Sequence, residues 1–488
     1  MRLSELAQRL PMTVTREGDA EVDSITHDSR QVAPGALFAA LPGANHHGLD
    51  FLEQAVARGA VAVLSDRPRP DRSALPWLRS ESPREAMARA AWILVGEPAA
   101  GLDVVAVTGT NGKSTVVDLV RTILDHAGRP CAWLGTLGGE LPGGGALAVR
   151  HTTPEAPDLA LFAARARDAG ASALVLEASS HALVQHRLTA LPVDVAVFTN
   201  LSRDHLDYHA DMEDYFAAKR RLFDELLVPT GRRILPADDP WSARLMEGRG
   251  DRELLWGIEA GGVQAQGAVF TLDGTRFDLV VDAVRTPVEL PLVGRHNLCN
   301  ALAAAAATIA LGLAPSTVAE GLGRARPLSG RLERIDVDLQ APVFVDFAHT
   351  PDGLEAVLAS LAAVTDRRLV VVFGAGGDRD RGKREPMGRA VGRWASVAVV
   401  TSDNPRSEDP ADIAASVAAG VRAEGAEPEV ILDRRQAIAR ALDLASDDTV
   451  IVVAGKGHEA TQTIGDRVMP FSDQDVIREI AAKVAPCS

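Results

Sequence analysis

Cysteine is scarce in this chain. Only Cys131, Cys299 and Cys487 occur in 488 residues, and their spacing matches neither a metal-ligand set nor a disulfide framework. That scarcity suits a reducing compartment and excludes a fold stapled by bridges. No apolar run reaches the ~18 residues of a membrane span; the alanine-rich stretch 298–313 reads as a buried helix instead. The N-terminus has no signal-peptide core, so a cytoplasmic protein without membrane attachment is expected. A basic surplus is missing too. With 51 Lys and Arg against 66 Asp and Glu, the formal charge is −15, which argues against non-specific binding to nucleic acid or to an anionic membrane. An anionic substrate must then be held by local basic groups. Internal repeats and low-complexity tracts are lacking, alanine richness aside. What is present, 46% hydrophobic and 24% charged residues, is the composition of an ordinary globular protein. The length calls for about three domains.

The chain is organised around residues 103–120, DVVAVTGTNGKSTVVDLV. The apolar, β-branched run 103–107 predicts one buried parallel strand. Small and turn-forming residues follow, and Lys113 opens a helical pattern. A strand, a glycine turn and a helix N-terminus together aim backbone N–H groups and the helix dipole at a phosphate. Gly109, Thr110, Asn111 and Gly112 form the turn. Lys113 places an ammonium on the β/γ-phosphates, and Ser114 or Thr115 offers a hydroxyl to Mg²⁺. Val107 stands where the usual G-x-x-x-x-G-K-[ST] pattern has its first glycine, so the loop is the shorter G-T-N-G-K-S-T. It reads as an ATP site.

Residues 1–98 read as a small α/β unit, with Leu3, Leu6 and Leu10 at helical spacing, strands at 36–41 and 61–64, and a helix at 49–58 between them. Two polar loops stand out, His27-Asp28-Ser29-Arg30 and Asn45-His46-His47-Gly48; surface turns explain them as well as a binding role does. Gly96-Glu97-Pro98 is a plausible linker. From 99 to 329, strands at 131–134, 173–176 and 193–198 alternate with helical patterns such as 158–169, which predicts a parallel, doubly wound sheet. Ligands collect at the carboxyl ends of such strands. Two of these strands end in Glu177-Ala178-Ser179-Ser180-His181 and in Thr199-Asn200-Leu201-Ser202-Arg203-Asp204-His205, acidic and imidazole chemistry expected to face the loop at Lys113. Residues 231–292 switch to short alternating stretches (269–272, 276–281), an antiparallel insertion or edge. Asn297 or His296 opens the alanine-rich helix. A second strand–helix alternation fills 330–488, with strands at 343–346, 369–373, 397–401, 429–432 and 449–453. Its helices are expected at 354–363, 411–419, 434–444 and 475–484.

The segments TGTNGKST, HTTP, EASSH, TNLSRDHLDYH, GRHN, GRLE, DFAHTPD and DNPR occur in one order along nearly the whole chain. With them the sequence resembles the Mur ligases, ATP-dependent amide ligases that extend the cell-wall precursor peptide, and among these the diaminopimelate-adding branch. The resemblance implies a three-domain α/β protein: an N-terminal uridine-nucleotide domain (1–98), a central P-loop ATPase (99–329) and a C-terminal Rossmann-like amino-acid domain (330–488). It implies that ATP phosphorylates the D-glutamate γ-carboxylate of UDP-MurNAc-L-Ala-D-Glu, and that the amine of meso-diaminopimelate then displaces phosphate. A monomeric enzyme using two Mg²⁺ is expected.

Carried over residue by residue, Lys113 and Ser114 handle the γ-phosphate and Mg²⁺, and Glu177 and His205 hold metal directly or through water. Asn297, Arg331 and Asp346 contact ATP. Thr152, Thr153, Ser179, Gln185 and Arg187 meet the anionic groups of the sugar-peptide, while Ser29 and the loop at His46 and His47 meet the uracil. Lys219, on a predicted helix four residues after Tyr215, would ordinarily be a solvated surface lysine. The resemblance makes it N6-carboxylysine, an anion that helps hold a second Mg²⁺, and a lysine that reacts with CO₂ needs a desolvated amine. Arg379, Asp403, Asn404, Arg406, Gly455 and Glu459 are the diaminopimelate residues, with Arg406 on the distal carboxylate and Glu459 on the distal ammonium. Competing readings are a related ligase of other acceptor specificity (L-lysine-adding, or folylpolyglutamate synthetase-like) and a nucleotide-gated binding protein that forms no amide bond. Asp403-Asn404-Pro405-Arg406 speaks for the diaminopimelate branch.

Overall fold

The computed structural model describes residues 1–488 apart from Ala44, Arg72, 148–150, 248–251 and 485–488. Cys487 therefore lies outside the described residues. By its internal contacts the chain forms two compact units, one of Met1–Thr108, Gly128–Val197 and Ala218–Arg233, the other of Gly109–Ala127, Phe198–Ala217 and Ile234–Ser488.

The first unit begins with a five-stranded sheet in the order Thr15–Glu17, Trp77–Arg79, Ala62–Ser65, Ala36–Ala40, Ser24–Thr26. The central strands Ala36–Ala40 and Ala62–Ser65 are buried along their whole length, which is why both read as unbroken apolar runs. The expected helix over 49–58 is shorter than its pattern suggests. It opens as a 3₁₀ turn, Gly48–Phe51, and becomes α-helical only over Leu52–Ala57. Further along, Asp103–Thr108, Ala173–Glu177 and Cys131–Gly135 lie side by side and parallel. Their register sets Glu177 opposite Val107, so the Glu177 carboxylate sits at the carboxyl end of the sheet, where ligands of such folds gather.

In the second unit, Val263–Thr271, Gly274–Val281 and Val284–Leu290 form the antiparallel meander that the alternating pattern predicts. A six-stranded sheet runs Glu333–Ile335, Val343–Asp346, Thr449–Ala454, Arg368–Phe373, Ala395–Val400, Glu429–Val430. All its pairings are parallel except the antiparallel edge at Glu333–Ile335. Successive side chains of a strand point to opposite faces. Val371, Phe373, Val450 and Val452 accordingly join a core with Leu354, Leu358, Met387, Val391 and Val417. Val370, Val372, Ile451 and Val453 join another with Ala437, Ile438 and Ile477. Helices thus cover both faces, the doubly wound arrangement. The expected strand over 429–432 keeps only two paired residues, Glu429–Val430.

One charged pair ties this sheet to its helices. Arg434, the first residue of helix Arg434–Leu442, is fully buried and grips Asp473 through two bonds of 2.7 Å, while its Nη2 also donates to the Ala454 carbonyl at 3.0 Å. Truncating one partner of such a pair strands the other charge away from water, at a cost of ~3–5 kcal/mol. Asp473→Ala should lower the unfolding free energy by about that amount in a guanidinium titration; a change below ~1 kcal/mol would mean that water already reaches Arg434.

Candidate nucleotide and amino-acid sites

Gly112 stands at φ +87° just before helix Lys113–His126, and Gly109 at φ +149° opens the turn. Neither position tolerates a side chain. A Cβ on Gly109 would fall 1.9 Å from Thr199 Oγ1, and one on Gly112 would fall 2.3 Å from Asn300 Oδ1. The turn is held from outside. Asn200 accepts from the Asn111 N–H (3.0 Å) and donates to the Asn111 carbonyl (3.1 Å), and Thr199 Oγ1 donates to the same carbonyl at 2.6 Å. Thr110 Oγ1 accepts from the Ser202 N–H at 3.0 Å. Lys113 Nζ curls back onto the carbonyls of Gly109 and Thr110 (3.0 and 2.8 Å). Ser114 and Thr115 are buried in the first turn.

Beside this turn lies a cavity of about 520 Å³ lined by Asn111, Gly112, Thr115, Trp256, His296, Asn297, Arg331 and Asp346, among others. The predicted nucleotide residues thus come together. Arg331 Nη2 donates to Ser114 Oγ at 3.3 Å, and its guanidinium lies 4.5 Å above the Phe347 ring. Asp346 accepts from the Leu332 and Ala348 N–H groups (2.5 and 2.6 Å). Burial pushes its carboxyl up, against the pull of Arg331. Asn297 bonds the Val293 carbonyl and accepts from Asn300. Burial holds His296 down at about 4, so its ring is neutral near pH 7.

The predicted amino-acid residues gather at the carboxyl ends of the six-stranded sheet. Arg406 sits at φ +54°, a conformation costly for a residue with a Cβ, and its backbone is pinned on both sides. Its N–H donates to Thr463 O (3.1 Å), and its carbonyl accepts from Gly465 N (2.6 Å). Its Nη1 donates to Gly377 O at 2.6 Å. Asn404 Nδ2 donates to Glu459 Oε2 at 2.7 Å. Asp403 is buried, with Oδ2 facing Gly455 at a point where a Cβ would fall 2.6 Å away. Arg379 is half exposed and 3.7 Å from Asp207. Sequence reasoning missed Lys456, which is wholly buried and donates to Glu459 Oε2 (2.8 Å), Thr461 O (2.7 Å) and Asn404 Oδ1 (3.4 Å). The signal was its place in Gly455-Lys456-Gly457-His458-Glu459.

Asp204 was passed over too, although it directly precedes His205. It is buried, 3.4 Å from Lys383 Nζ and 3.8 Å from His349 Nε2. Burial alone would raise its carboxyl, yet His349, Lys383 and His205 together hold it well below the usual range. His205 itself is half exposed at φ +55°.

In the first unit, Glu177, Thr152, Thr153, Ser179, Gln185 and Arg187 form one continuous network. Buried Glu177 accepts from the N–H (2.8 Å) and hydroxyl (3.2 Å) of Thr136, which also meets the Thr152 hydroxyl. Thr153 Oγ1 donates to the Glu177 carbonyl at 2.7 Å and contacts Ser179, the N-cap of helix Ser180–Val184. Arg187 donates to Thr153 O and Gln185 Oε1. Ser29 donates to Gln54 instead, at 2.7 Å. His46 is exposed, while His47 is buried on Asp66 at 2.9 Å. Lys219, in helix Met212–Arg221, is only 2% exposed, so the solvated-lysine alternative fails.

Gly112→Ala should weaken ADP binding at least ~10-fold in calorimetry, because left-handed strain of ~1–3 kcal/mol adds to a clash with Asn300. Unchanged affinity would mean that the loop can relax without Asn300.

Models of the Mur ligase family match three consecutive parts of the chain: its catalytic domain description over residues 21–106, the middle domain over 107–308, and the glutamate ligase domain over 330–457. A protein of Geobacter metallireducens named UDP-N-acetylmuramoyl-L-alanyl-D-glutamate–2,6-diaminopimelate ligase is 41% identical over 99% of both chains. One of the same name from Gloeobacter violaceus is 42% identical over 99% of this chain and 98% of its own. A solved structure of a ligase with that name is 33% identical and superposes with a TM-score of 0.67 over 95% of each chain. With the family's models in order along its length and relatives this close over nearly every residue, the chain belongs to the Mur ligase family.

Proposed function

We propose that this ligase joins meso-2,6-diaminopimelate to the D-glutamate γ-carboxylate of UDP-MurNAc-L-Ala-D-Glu at the expense of ATP, through an acyl phosphate. The observation that carries the reading is the gathering of Asn404, Arg406 and Glu459 on fixed hydrogen-bond partners at the carboxyl ends of one sheet, in a chain whose relatives at about 41% identity bear that activity in their names. A carboxylate is a poor electrophile, and phosphorylation gives it a leaving group. Catalysis is then mainly positioning and neutralisation of charge. The turn Gly109–Gly112 cradles the phosphates, Lys113 meets the charge that grows on the γ-phosphoryl group, and Asn297, Arg331 and Asp346 seat the rest of the nucleotide. Thr152, Thr153, Ser179, Gln185 and Arg187 take the sugar-peptide, and Ser29 and His46 the uracil end. Family-model edges at 106, 107 and 330 support a division into domains near 98 and 329.

Mg²⁺, when bound, neutralises phosphate charge. Its proposed donors are Ser114, Glu177, His205 and carboxylated Lys219. Mg²⁺ takes few protein ligands and completes its shell with phosphate oxygens and water. Lys219 is 2% exposed, the desolvated setting that a lysine reacting with CO₂ requires.

Arg406 decides the amino acid. A guanidinium grips a distal carboxylate through paired bonds, and L-lysine, which lacks that carboxylate, leaves it unpaired. In a panel of meso-diaminopimelate, L-lysine and L-ornithine, ADP and amide should form together only with the first, and only when the muramyl dipeptide and Mg²⁺ are present. Robust ATP hydrolysis without the dipeptide would sink the ligase reading. Arg406→Ala should raise the KM for meso-diaminopimelate by roughly 10–100-fold, the scale of a lost hydrogen bond to a charged group, with far less effect on the KM for ATP. Equal use of L-lysine by the unaltered enzyme would refute the Arg406 assignment. Lys219→Ala should nearly abolish turnover, with partial recovery in added formate or acetate; near-normal activity would remove the lysine from the mechanism.

A further inference from the structure

His349 lies three residues past the strand Val343–Asp346 and just ahead of Thr350, the N-cap of helix Pro351–Ala362. Its Nδ1 is 2.8 Å from the Phe347 carbonyl. A carbonyl only accepts, so Nδ1 carries the hydrogen and Nε2 is the basic nitrogen of the neutral ring. Nε2 stands 3.8 Å from Asp204 Oδ2, the buried carboxylate whose other oxygen faces Lys383. The ring is half-buried and packs edge-on against Phe347, with centroids 4.7 Å apart. Phe347 is itself part of the nucleotide cavity, under Arg331. Phe347 also packs on His458, in the segment Gly455-Lys456-Gly457-His458-Glu459, with ring centroids 5.2 Å apart. One imidazole therefore shares the Phe347 ring with both the nucleotide cavity and the amino-acid residues. Burial and then the Lys383 ammonium lower its basicity, against Asp204, the Phe347 carbonyl and Asp403, so the ring is neutral near pH 7 and free to accept a proton.

An amino acid arrives as an ammonium, which has no lone pair with which to attack. We infer that His349 is a catalytic base of the amide-forming step, its Nε2 accepting a proton from the ammonium of the incoming amino acid; the inference rests on the ligase reading above. The amine freed in this way attacks the acyl carbon and a C–N bond forms. The bond from that carbon to the phosphate oxygen breaks, its electron pair leaving on phosphate. The second proton of the nitrogen leaves with the phosphate, and His349 returns its own proton to water. Asp204, 3.8 Å away, stabilises the imidazolium while it lasts.

Hydroxylamine, which is uncharged near neutrality, attacks an acyl phosphate without needing a base. His349→Ala, and His349→Asn, which keeps a donor for the Phe347 carbonyl, are compared with unaltered enzyme for ADP release driven by meso-diaminopimelate and by hydroxylamine. The expected result is a loss of ~10²-fold or more with the amino acid, the usual share of a general base, and a much smaller loss with hydroxylamine. The residual amino-acid rate should climb steadily with pH as free amine becomes available. Equal losses with both nucleophiles, or full amino-acid activity in either variant, would overturn the assignment. Unaltered enzyme that releases no ADP in response to amino acid would instead overturn the ligase reading, and this role with it.

Discussion

A phosphate turn must be held in shape by groups outside it, and here two of its own N–H groups, those of Thr110 and Asn111, are given to Asn200. Here the partners are Thr199, Asn200 and Ser202, which follow the strand Val193–Phe198 and bond Thr110 and Asn111 from outside. Asn200 both accepts from and donates to Asn111, so neither peptide flanking that residue can rotate without breaking a bond. The Asn300 amide closes the other flank, and only glycine fits beneath it at Gly112. Helix Lys113–His126 starts directly from that clamped turn, and its second residue, Ser114, accepts from Arg331 at 3.3 Å.

The second constraint is electrostatic. A protein of charge −15 that handles anions must place its cations individually. It buries several, each on named acceptors: Lys456 on Glu459, Thr461 and Asn404; Arg434 on Asp473 and Ala454; Lys383 on Asp204. Buried charges are expensive unless fully partnered, so these groups have little freedom. Lys456 keeps Glu459 charged despite its burial, and the same bonds fix Asn404. Specificity for an amino acid with two charged ends is served by such rigidity, since a loose carboxylate would accept many amines.

Much of this was legible in the sequence. The strands 103–107, 343–346, 369–373 and 449–453 are apolar, β-branched runs because they are buried on both faces, and they form where that pattern puts them. The hairpin Thr461–Ile464/Arg467–Pro470 escaped notice because most of it is exposed and carries no such run. The phosphate turn is local and its spacing is diagnostic. Asp204 and Lys383 are 179 residues apart, and only the fold sets one against the other. A helical register shows that Lys219 and Tyr215 share a face, but not that this face is closed to water. Motif order along the chain carried the family; burial and partners had to come from the structure.

The central claim is that ATP is used to make an acyl phosphate on the γ-carboxylate of D-glutamate. Positional isotope transfer tests it directly: UDP-MurNAc-L-Ala-D-Glu carrying ¹⁸O in that carboxylate is turned over with ATP and meso-diaminopimelate, and the released phosphate is analysed by mass. The account predicts one ¹⁸O atom in the phosphate for each amide bond formed. Phosphate without the label, alongside normal amide formation, would contradict it.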